Sequence, residues 1–356
     1  MYKNKKTVLI TGILGQDAPN MAEYLLSLGQ DLIVVGTMRR ISNPNYEHIK
    51  AIKDNENFFL DYLDLSDQNS IEECFRKYDP DYFINFGANS YVGVSWKMPE
   101  QMMDVNAVGV LRCLEIIRKL KPSCRFYSAG SSEEWGNVDY SPQDIKHPLK
   151  PRSPYGASKA SARHIVKVYR ESFNLFAIHG ILFNHEGTKR GEEFVTRKIS
   201  KGVARIHRSI RKKQPFKPIE LGNLDAKRDW SDSRDFVEGI WLMVNQKDPK
   251  DYILSSGETH SIREFVEKSF LVAGIEGVWH GSGSSEELSL PGYLIEEQQA
   301  ASSVLVKINP NFYRLAEVEL LLGDSSPAKA ELGWKPKISF DQLVESMTKH
   351  DIENTP

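Results

Sequence analysis

Short apolar runs alternate with longer amphipathic segments along the first half of the chain, and this alternation narrows the choice of fold more than any other feature. Six apolar runs have the length and composition of buried strands: residues 7–12, 32–38, 57–65, 82–88, 124–130 and 176–183. Helical spacing of apolar residues occurs between several of them, in residues 21–28, 70–77, 99–119 and 155–171. Such alternation predicts a parallel sheet covered by helices on both faces. Ligands of these sheets bind beyond the carboxyl ends of the strands.

After about residue 184 the alternation gives way to short, mixed elements rich in glycine, proline and charge. A length of 356 residues suits one large domain and a smaller one. We therefore predict an α/β fold with a Rossmann-type doubly wound parallel sheet and a smaller mixed α/β C-terminal substrate lobe. The Rossmann domain is expected over residues 1–184, with later segments allowed to return to it, and the lobe over residues 185–356.

Composition and charge exclude several classes of function. Basic and acidic residues nearly balance, and the net charge of −2 gives no general attraction to nucleic acid or to anionic membranes. No uncharged apolar stretch reaches the length of a membrane span. The cysteines, Cys74, Cys113 and Cys124, lack the spacing of a zinc site or a disulfide framework. We expect a cytoplasmic protein without a metal ion.

A turn with two glycines follows the first predicted strand. Gly12 permits a tight turn from strand to helix, and Gly15 lets the backbone approach a pyrophosphate at the positive end of that helix. Ala18 stands where a third glycine is common, and it still allows close packing of helix on strand. The position of this turn, after a strand and before a helix, predicts a dinucleotide site that also includes Gln16 and Asp17.

Two arginines, Arg39 and Arg40, follow the second predicted strand. A site for NAD usually places a carboxylate here to bind the ribose hydroxyls, whereas arginines suit a 2′-phosphate. The sequence therefore predicts NADP, and the alternative is a pair of solvated surface arginines. Residues after the third and fourth strands are expected along the adenine and the nicotinamide ribose: Asp64, Leu65, Gly87, Ala88, Asn89 and Ser90.

Tyr155 and Lys159 lie four residues apart in a predicted helix and therefore share one helical face. A neighbouring ammonium favours the phenolate, which lowers the pKa of a tyrosine toward values useful in acid–base catalysis. This spacing is common by chance, and its alternative is a surface cation beside an aromatic ring. Its position after a predicted Rossmann domain favours redox catalysis.

Polar residues crowd the end of the fifth predicted strand, in the segment Ser131, Ser132, Glu133 and Glu134. The carboxyl end of a central strand is where ligands bind in this architecture. Two hydroxyls and two carboxylates are more than a loop requires, so the segment is a candidate catalytic loop. The alternative is a polar turn in which serines cap a helix.

A run of basic residues later in the chain begins with helical spacing: Lys201, Arg205, Arg208, Arg211, Lys212 and Lys213. The spacing favours a solvated helix face. A polyphosphate-binding rim is the second interpretation. Nucleic-acid binding is the third, and the lack of aromatic residues between these charges disfavours it.

Six longer motifs occur once each along the chain: TGILGQD, SSEEWG, PRSPYGASK, GNLDAKRDW, RLAEVELLLGDSSPAKAELGWKP and, as the most specific of them, GILFNHEGTKRGEEFVTRKI. From about residue 7 to about residue 340 they resemble the GDP-mannose 4,6-dehydratase family, which belongs to the extended short-chain dehydrogenases. The resemblance implies a GDP-sugar substrate, NADP, and an internal redox cycle without net use of the cofactor. It also implies a homodimer or a homotetramer.

The resemblance implies a role for each catalytic residue. Tyr155 would take the proton from the sugar O4 as hydride leaves C4, and Lys159 would hold the nicotinamide ribose. Glu133 would remove the C5 proton before water leaves C6, to which the hydride returns. Ser131 would hydrogen-bond near O4 and the departing hydroxyl.

Further positions match residues that the family uses for binding. For the cofactor these are His185 and Arg190, and a purely structural histidine is the alternative for His185. For the sugar nucleotide, with the guanine near Val195, they are Ser90, Asn184, Val195, Lys198, Gly222, Arg228, Arg314 and Glu317.

Three other functions stay open. They are a 4,6-dehydratase of another GDP-sugar such as GDP-manno-heptose, a GDP-4-keto-6-deoxyhexose reductase, and an NADP-binding sensor or interaction protein without catalysis. The block at residues 184–198 favours a dehydratase over the reductase, and the intact catalytic set favours an enzyme. Glu134 and Trp135 depart from the family, which has an apolar residue and a tyrosine there.

Overall fold

The computed structural model describes residues 5–29, 31–292, 303–313 and 320–355. The chain forms two compact units, and each is discontinuous in sequence. Unit 1 lies within Met1–His185, Ser233–Gly257 and Leu321–Lys337. Unit 2 lies within Glu186–Asp232, Glu258–Leu320 and Ile338–Pro356.

The strands of the described residues are β1 (Lys6–Thr11), β2 (Leu32–Met38), β3 (Phe58–Tyr62), β4 (Tyr82–Asn85), β5 (Arg125–Ala129), β6 (Ala177–Leu182), β7 (Asn184–Glu186), β8 (Ile219–Leu221), β9 (Lys227–Arg228), β10 (Trp230–Asp232), β11 (Ile253–Leu254), β12 (His260–Ser261), β13 (Val278–His280), β14 (Glu287–Ser289), β15 (Val304–Ile308) and β16 (Leu320–Leu321). The α-helices are α1 (Asp17–Ser27), α2 (Gln68–Tyr78), α3 (Val92–Ser95), α4 (Pro99–Met103), α5 (Gly109–Leu120), α6 (Pro154–Phe173), α7 (Val195–Arg211), α8 (Ser233–Val244), α9 (Ile262–Val272), α10 (Ser326–Leu332) and α11 (Phe340–Asn354).

The large sheet of unit 1 has the strand order β3-β2-β1-β4-β5-β6-β11, and all neighbouring strands run parallel. This is the order of a doubly wound dinucleotide-binding sheet, with one strand added beside β6. The order reverses between β1 and β4, so a ligand crevice is expected at the carboxyl ends of these strands. The predicted α/β class and Rossmann-type sheet are confirmed.

Successive residues of the central strands enter separate hydrophobic clusters. Val8 and Ile10 pack with residues of α1 and α8, whereas Leu9 packs with residues of α2, α5 and α6. All three side chains are completely buried. Burial on both faces of the sheet explains why these strands appear in the sequence as continuous apolar runs.

The helix expected over residues 99–119 is divided in the structure. A π-helical turn at Asp104–Val108 separates α4 from α5. In this turn the buried side chain of Asn106 accepts a hydrogen bond from Asn89 N at 2.9 Å and donates one to Asn89 O at 3.0 Å. Wide turns of this kind often lie at functional sites, and this one holds the loop that follows β4.

Unit 2 has its own sheet and hydrophobic core. Strands β13, β14 and β15 pair antiparallel, and β8 pairs parallel with β15. The core combines apolar residues of these strands with residues of α7, α9 and α11, among them Ile199, Phe265 and Leu343. No helix of the described residues in either unit combines the length and apolar character needed to cross a membrane.

Candidate active site

The turn after β1 brings the ends of two strands close together. Gly12 has a φ of +79°, and the N–H groups of Gly12 and Ile13 both donate to the main-chain oxygen of Thr37 at 3.0 Å. A Cβ on Gly12 would lie 3.2 Å from the nitrogen of Gly87. Glycine is therefore required at position 12 for the backbone conformation and for the approach to the turn after β4.

The segment between this turn and α1 leaves the helix N-terminus open. Gly15 is exposed, and its N–H donates to the main-chain oxygen of Gly12 at 2.8 Å. Helix α1 begins at Asp17, and the preceding Gln16 makes no side-chain cap. Unbonded N–H groups at a positive helix end suit a pyrophosphate. Ala18 is completely buried, so position 18 requires a small side chain.

Two residues that the sequence analysis did not single out connect β1 to β4. The Thr11 hydroxyl donates to Oδ1 of Asn85 at 2.5 Å and accepts from the N–H of Gly87 at 2.9 Å. Both side chains are buried. Their signal in the sequence is a polar residue at the last position of an apolar strand, because a buried polar group there needs a partner.

The residues expected to bind the rest of the dinucleotide follow β2, β3 and β4. Arg39 and Arg40 are exposed, and no hydrogen bond or ion pair connects either guanidinium to the rest of the described chain. The Asp64 carboxylate accepts hydrogen bonds from Ser66 N–H at 2.9 Å and from the Ser66 hydroxyl at 2.6 Å. The other expected residues are buried Leu65, half-buried Gly87, Ala88 and Asn89, and exposed Ser90.

His185 lies in a hydrogen-bonded group at the start of α1. Its Nε2 lies 3.0 Å from Oδ2 of Asp17, and its Nδ1 lies 2.7 Å from the main-chain oxygen of Phe183. Gln16 donates to the main-chain oxygen of His185 at 2.9 Å. Asp17 and Phe183 therefore place an oxygen acceptor within hydrogen-bond distance of each ring nitrogen. This geometry agrees with the structural alternative for His185, and its contact with cofactor stays a prediction.

Tyr155 and Lys159 lie near the N-terminus of α6, where Pro154 is the first residue and Ser153 accepts a hydrogen bond from Gly156 N–H. Both side chains are buried, and Nζ of Lys159 lies 5.9 Å from the centre of the Tyr155 ring. The ammonium donates to the main-chain oxygen of Ala129 at 2.7 Å. Burial lowers the pKa of Lys159 to about 8, and the negative charges of Glu134 and Asp17 act in the opposite direction.

The segment after β5 is a short 3₁₀ turn with a capping box. Ser131 precedes the turn Ser132–Glu134, and its hydroxyl accepts from Glu133 N–H at 3.3 Å. In return, Oε1 of Glu134 accepts from Ser131 N–H at 2.8 Å. Ser131 therefore caps this turn, as the alternative interpretation predicted. Because the residue stays partly exposed, it can also contact a bound ligand.

A close approach between two backbones joins this loop to the Tyr155 helix. A Cβ on Gly156 would lie 2.5 Å from the main-chain oxygen of Glu133. Only glycine leaves room for this approach, so the residue after Tyr155 determines how near the loop can come. The structure thus brings together Ser131, Glu133, Tyr155 and Lys159 in unit 1.

A buried carboxylate and a buried histidine lie beneath the same loop. Glu134 and His179 are both completely buried, and Oε1 of Glu134 lies 2.9 Å from Nε2 of His179. Burial alone would raise the pKa of Glu134, but His179, the guanidinium of Arg163 and the Ser131 N–H reverse this effect and lower it. The sequence analysis missed His179, because a histidine in an apolar strand has no partner that sequence spacing reveals.

Unit 2 contains a cleft of about 800 Å³ that is rich in cations. Lys198 lines it, and its Nζ lies 3.5 Å from the centre of the Phe312 ring. Two acidic residues, Glu192 and Glu220, also line the cleft. The basic residues of its wall are Arg197, Lys198, Lys201, Arg205, Lys217 and Lys307.

The favoured interpretation of the basic run, a solvated helix face, does not describe all of its residues. Helix α7 ends at Arg211, and two members of the run, Lys201 and Arg205, line the cleft. A third member, Arg208, donates to the main-chain oxygen of Thr355 at 3.1 Å. Helical spacing alone could not separate these positions, because a lined cleft and a solvated face carry the same residue types.

The other expected binding residues have varied surroundings. Nε of Arg190 lies 2.9 Å from Oε2 of Glu186, and its guanidinium carbon lies 3.5 Å from the centre of the Phe194 ring. Arg228 is buried and donates to the main-chain oxygen of Lys227 at 2.8 Å. Asn184 begins β7, Val195 begins α7 and Gly222 follows β8, while Arg314 and Glu317 lie outside the described residues.

The parallel sheet and the glycine turn after β1 define the fold of an extended short-chain dehydrogenase, and Tyr155 and Lys159 lie where its catalytic pair is expected. A dTDP-glucose 4,6-dehydratase (rfbB) from Bacillus anthracis in complex with NAD gives a TM-score of 0.78 at 19% identity, over 98% of this chain and 97% of that chain. RMD from Pseudomonas aeruginosa complexed with NADPH gives a TM-score of 0.75 at 18% identity, over 98% and 100% of the two chains.

Sequence comparison narrows the class to one family. The family model described as GDP-mannose 4,6 dehydratase matches residues 9–347. The GDP-mannose 4,6 dehydratase of Homo sapiens is 42% identical over 99% of this chain and 93% of that protein. A GDP-mannose 4,6-dehydratase of Vibrio cholerae serotype O1 is 41% identical over 98% and 94%. This chain therefore belongs to the GDP-mannose 4,6-dehydratase family, and the predicted resemblance is confirmed.

Proposed function

We propose that the protein converts GDP-mannose to GDP-4-keto-6-deoxymannose and water by an internal hydride cycle on NADP. The observation that carries the proposal is the approach of the loop Ser131–Glu134 to the Tyr155 end of α6, in a chain of the GDP-mannose 4,6-dehydratase family. This reaction makes the enzyme a hydro-lyase whose cofactor is reduced and then reoxidised in each turnover.

The residues of unit 1 fit a nicotinamide dinucleotide. Gly12 and Gly15 leave the backbone open beside the uncapped N-terminus of α1, where a pyrophosphate would be held. When bound, the cofactor would supply an acceptor for the hydride from C4 and a donor of hydride to C6. The exposed guanidinium groups of Arg39 and Arg40 would bind a 2′-phosphate, so we propose NADP rather than NAD. His185 and Arg190 are proposed as further contacts.

Tyr155 and Lys159 would perform the proton chemistry at O4. The charged Lys159 favours the phenolate form of Tyr155, which takes the O4 proton while the C4 carbon is oxidised. Burial of both side chains strengthens this electrostatic effect, because fewer waters screen the two groups. Lys159 would also hold the nicotinamide ribose.

Glu133 and Ser131 would perform the elimination. The ketone at C4 acidifies the proton at C5, and Glu133 is proposed to remove that proton and to pass it to the hydroxyl that leaves C6 as water. As hydride returns to C6, C5 would regain a proton from Tyr155, which took one from O4. Ser131 would hydrogen-bond near O4 and the departing hydroxyl. The capping box sets the position of both residues, since Glu134 holds the Ser131 backbone and Ser131 holds that of Glu133.

The cationic cleft of unit 2 is proposed to bind the nucleotide part of the substrate. Its basic residues outnumber its acidic residues, which suits a diphosphate, and the side-chain ammonium of Lys198 makes no hydrogen bond or ion pair within the described chain. The aromatic ring of Phe312 offers a surface for stacking. Ser90, Asn184, Val195, Gly222, Arg228, Arg314 and Glu317 are proposed as further contacts.

The first experiment is incubation of the purified protein with GDP-mannose, without added reductant, followed by mass spectrometry of the nucleotide sugar. We expect many turnovers per enzyme, loss of one water per sugar, and no net formation of NADPH. Tyr155→Phe should retain cofactor and lose turnover. Tyr169→Phe is the matched control, because Tyr169 lies on the same helix and its hydroxyl donates to Glu115.

An unchanged GDP-mannose peak would contradict the proposed substrate. GDP-manno-heptose would then be tested in the same assay. Stoichiometric oxidation of added NADPH by a GDP-4-keto-6-deoxyhexose would instead indicate the reductase, and no turnover with any of these sugars would indicate a binding protein. A homodimer or homotetramer, to be tested by light scattering, and a cytoplasmic location stay predictions.

A further inference from the structure

His179, and the contact that Glu134 makes with it, have no role in the chemistry proposed above. A buried ion pair is weak evidence for stability, because the cost of removing two polar groups from water offsets their attraction. In addition, Oε2 of Glu134 and Nδ1 of His179 are buried and have no hydrogen-bond partner among the described residues. The pair therefore needs an explanation other than stability.

Three consecutive residues at the end of β5 connect this pair to the catalytic groups. Ala129 accepts the hydrogen bond from Lys159, and Ser131 donates its N–H to Glu134. Between them, Gly130 lies so close to the pair that a Cβ there would be 2.5 Å from Nε2 of His179 and 2.9 Å from Oε1 of Glu134. Movement of the pair would therefore displace the backbone that holds both Ser131 and Lys159.

Charges from several elements face this region. The negative charges of Glu134, in the loop, and Asp17, on α1, raise the pKa of Lys159 against the effect of its burial. Tyr155 lies beside Lys159 on the same helix. Around Glu134 lie His179 on β6 and Arg163 on α6. Asp251 also acts on His179, whose main-chain N–H donates to Oδ1 of Asp251 at 2.9 Å. Two further titratable groups are the phenol of Tyr127 on β5 and His185, the partner of Asp17.

We propose that Glu134 and His179 form a positioning pair, in which the Glu134 carboxylate holds the catalytic loop in place and sets a fixed negative charge beside the backbone to which Lys159 donates. His179 keeps Glu134 ionised inside the protein, because without a partner a buried carboxylate takes up a proton. The inference rests on the proposed dehydratase function, since it assigns the pair to the Ser131, Glu133 and Lys159 of that reaction.

Single substitutions in the holoenzyme separate charge from shape. Glu134→Gln keeps an acceptor for Ser131 N–H and removes the charge, and His179→Gln removes the partner. We expect the alkaline limb of the kcat profile to move to lower pH by about one unit in each, so that kcat at pH ~8 falls about fivefold while KM for GDP-mannose stays within about twofold. The double variant should be no worse than the poorer single variant.

Two controls complete the design. Glu171→Gln neutralises an exposed glutamate on the helix that carries Lys159, and it should have the wild-type profile. Glu134→Met/His179→Leu replaces the pair by apolar residues of similar size, which often preserves folding where a single loss does not. It should bind cofactor and show the same shifted limb.

A wild-type pH profile of kcat in Glu134→Gln, or in the apolar double variant if the single variants do not fold, would overturn the inference. A rise in KM alone would overturn it as well, because the pair would then act on substrate binding. Failure of the wild-type protein to dehydrate GDP-mannose is a different result, which overturns the proposed function itself.

Discussion

The Nζ atom of Lys159 lies 2.7 Å from the main-chain oxygen of Ala129, the last residue of β5. This contact joins α6, which carries the candidate catalytic pair, to the central strand whose end carries the candidate catalytic loop. It also places the ammonium in a buried position, and burial lowers the pKa of Lys159 to about 8, against the opposing effect of Glu134 and Asp17. The residue therefore changes charge within the pH range of ordinary assays.

The first prediction concerns pH. Lys159 carries its charge below its pKa of about 8 and loses it above, so kcat should fall as pH rises through about 8. Lys159→Met should lower kcat at least ~100-fold at every pH, because the phenolate of Tyr155 loses the neighbouring positive charge that favours it. Lys167→Met, at an exposed position of the same helix, is the control. A wild-type profile that stays flat to pH ~10, the usual pKa of lysine, would contradict the prediction.

The second prediction concerns the glycine turn. Gly12→Ala should abolish binding of NADP, because the φ of +79° is strained for alanine and the Cβ would lie 3.2 Å from Gly87 N. Gly29→Ala separates these effects, since Gly29 has a φ of +62° with no atom near a Cβ. It should lose about 1 kcal/mol of unfolding free energy and keep its cofactor. Fluorescence titration measures cofactor binding, and urea unfolding measures the free energy of unfolding. An equal loss of cofactor binding in the two variants would contradict the prediction.

The third prediction concerns cofactor choice. Arg39→Asp should weaken NADP about tenfold or more and leave NAD almost unchanged, because only NADP has the phosphate that a guanidinium would pair with. Isothermal titration with each dinucleotide measures the two dissociation constants. Arg211→Asp, which makes the same charge change at the end of α7, should affect neither. Equal weakening of NADP and NAD by Arg39→Asp would refute the assignment of NADP.

The fourth prediction concerns the residue packed against the Glu134–His179 pair. Gly130→Ala should lower the free energy of unfolding by about 1–3 kcal/mol, because the added Cβ overpacks a completely buried site. Gly292→Ala is the control, since no atom of the described residues lies within 4 Å of a Cβ at Gly292. Chemical unfolding of both variants gives the comparison. The same stability for the two variants would mean that the pair can move aside.

The fifth prediction concerns the cleft of unit 2. Lys198→Ala should raise KM for GDP-mannose about tenfold with little change in kcat, because a charge-assisted contact to the nucleotide binds ground state and transition state alike. Lys201→Ala tests whether the basic run contributes to the same rim, and a smaller rise is expected because Lys201 already pairs with Glu192. Lys212→Ala, beyond the end of α7, is the control. Steady-state kinetics measure all three, and a fall in kcat alone would argue against a binding role for Lys198.

The elements that were predicted best are those whose signal is local. Strands β1, β2, β4, β5 and β6 were recognised because burial on both faces demands continuous apolar residues, whereas the edge strand β3 is apolar although Leu60 and Tyr62 are exposed. The Gly12 turn was recognised because a positive φ next to a neighbouring backbone demands glycine. Residues 99–119 were predicted as one helix, because the π turn preserves their helical spacing while it places Asn106 against Asn89.

Some residues of the candidate site carried no local signal at all. Thr11 and Asn85 are separated by 74 positions and meet only because β1 and β4 are neighbours. Glu134 appeared in the sequence as a departure from the family beside the catalytic residues. Its partner, His179, lies 45 positions away and meets it only in the folded chain.

The sequence by itself determined the parallel α/β fold, the dinucleotide turn, the Tyr155–Lys159 pair and the family, because each depends on residues that are close in sequence or on motifs that stay together. Only the tertiary structure decided which polar groups meet at the strand ends, that Gly156 admits the backbone of Glu133, and that Glu134 is paired rather than exposed. These contacts depend on the order of strands in the sheet, and burial determines their charge through desolvation that no spacing in a sequence expresses.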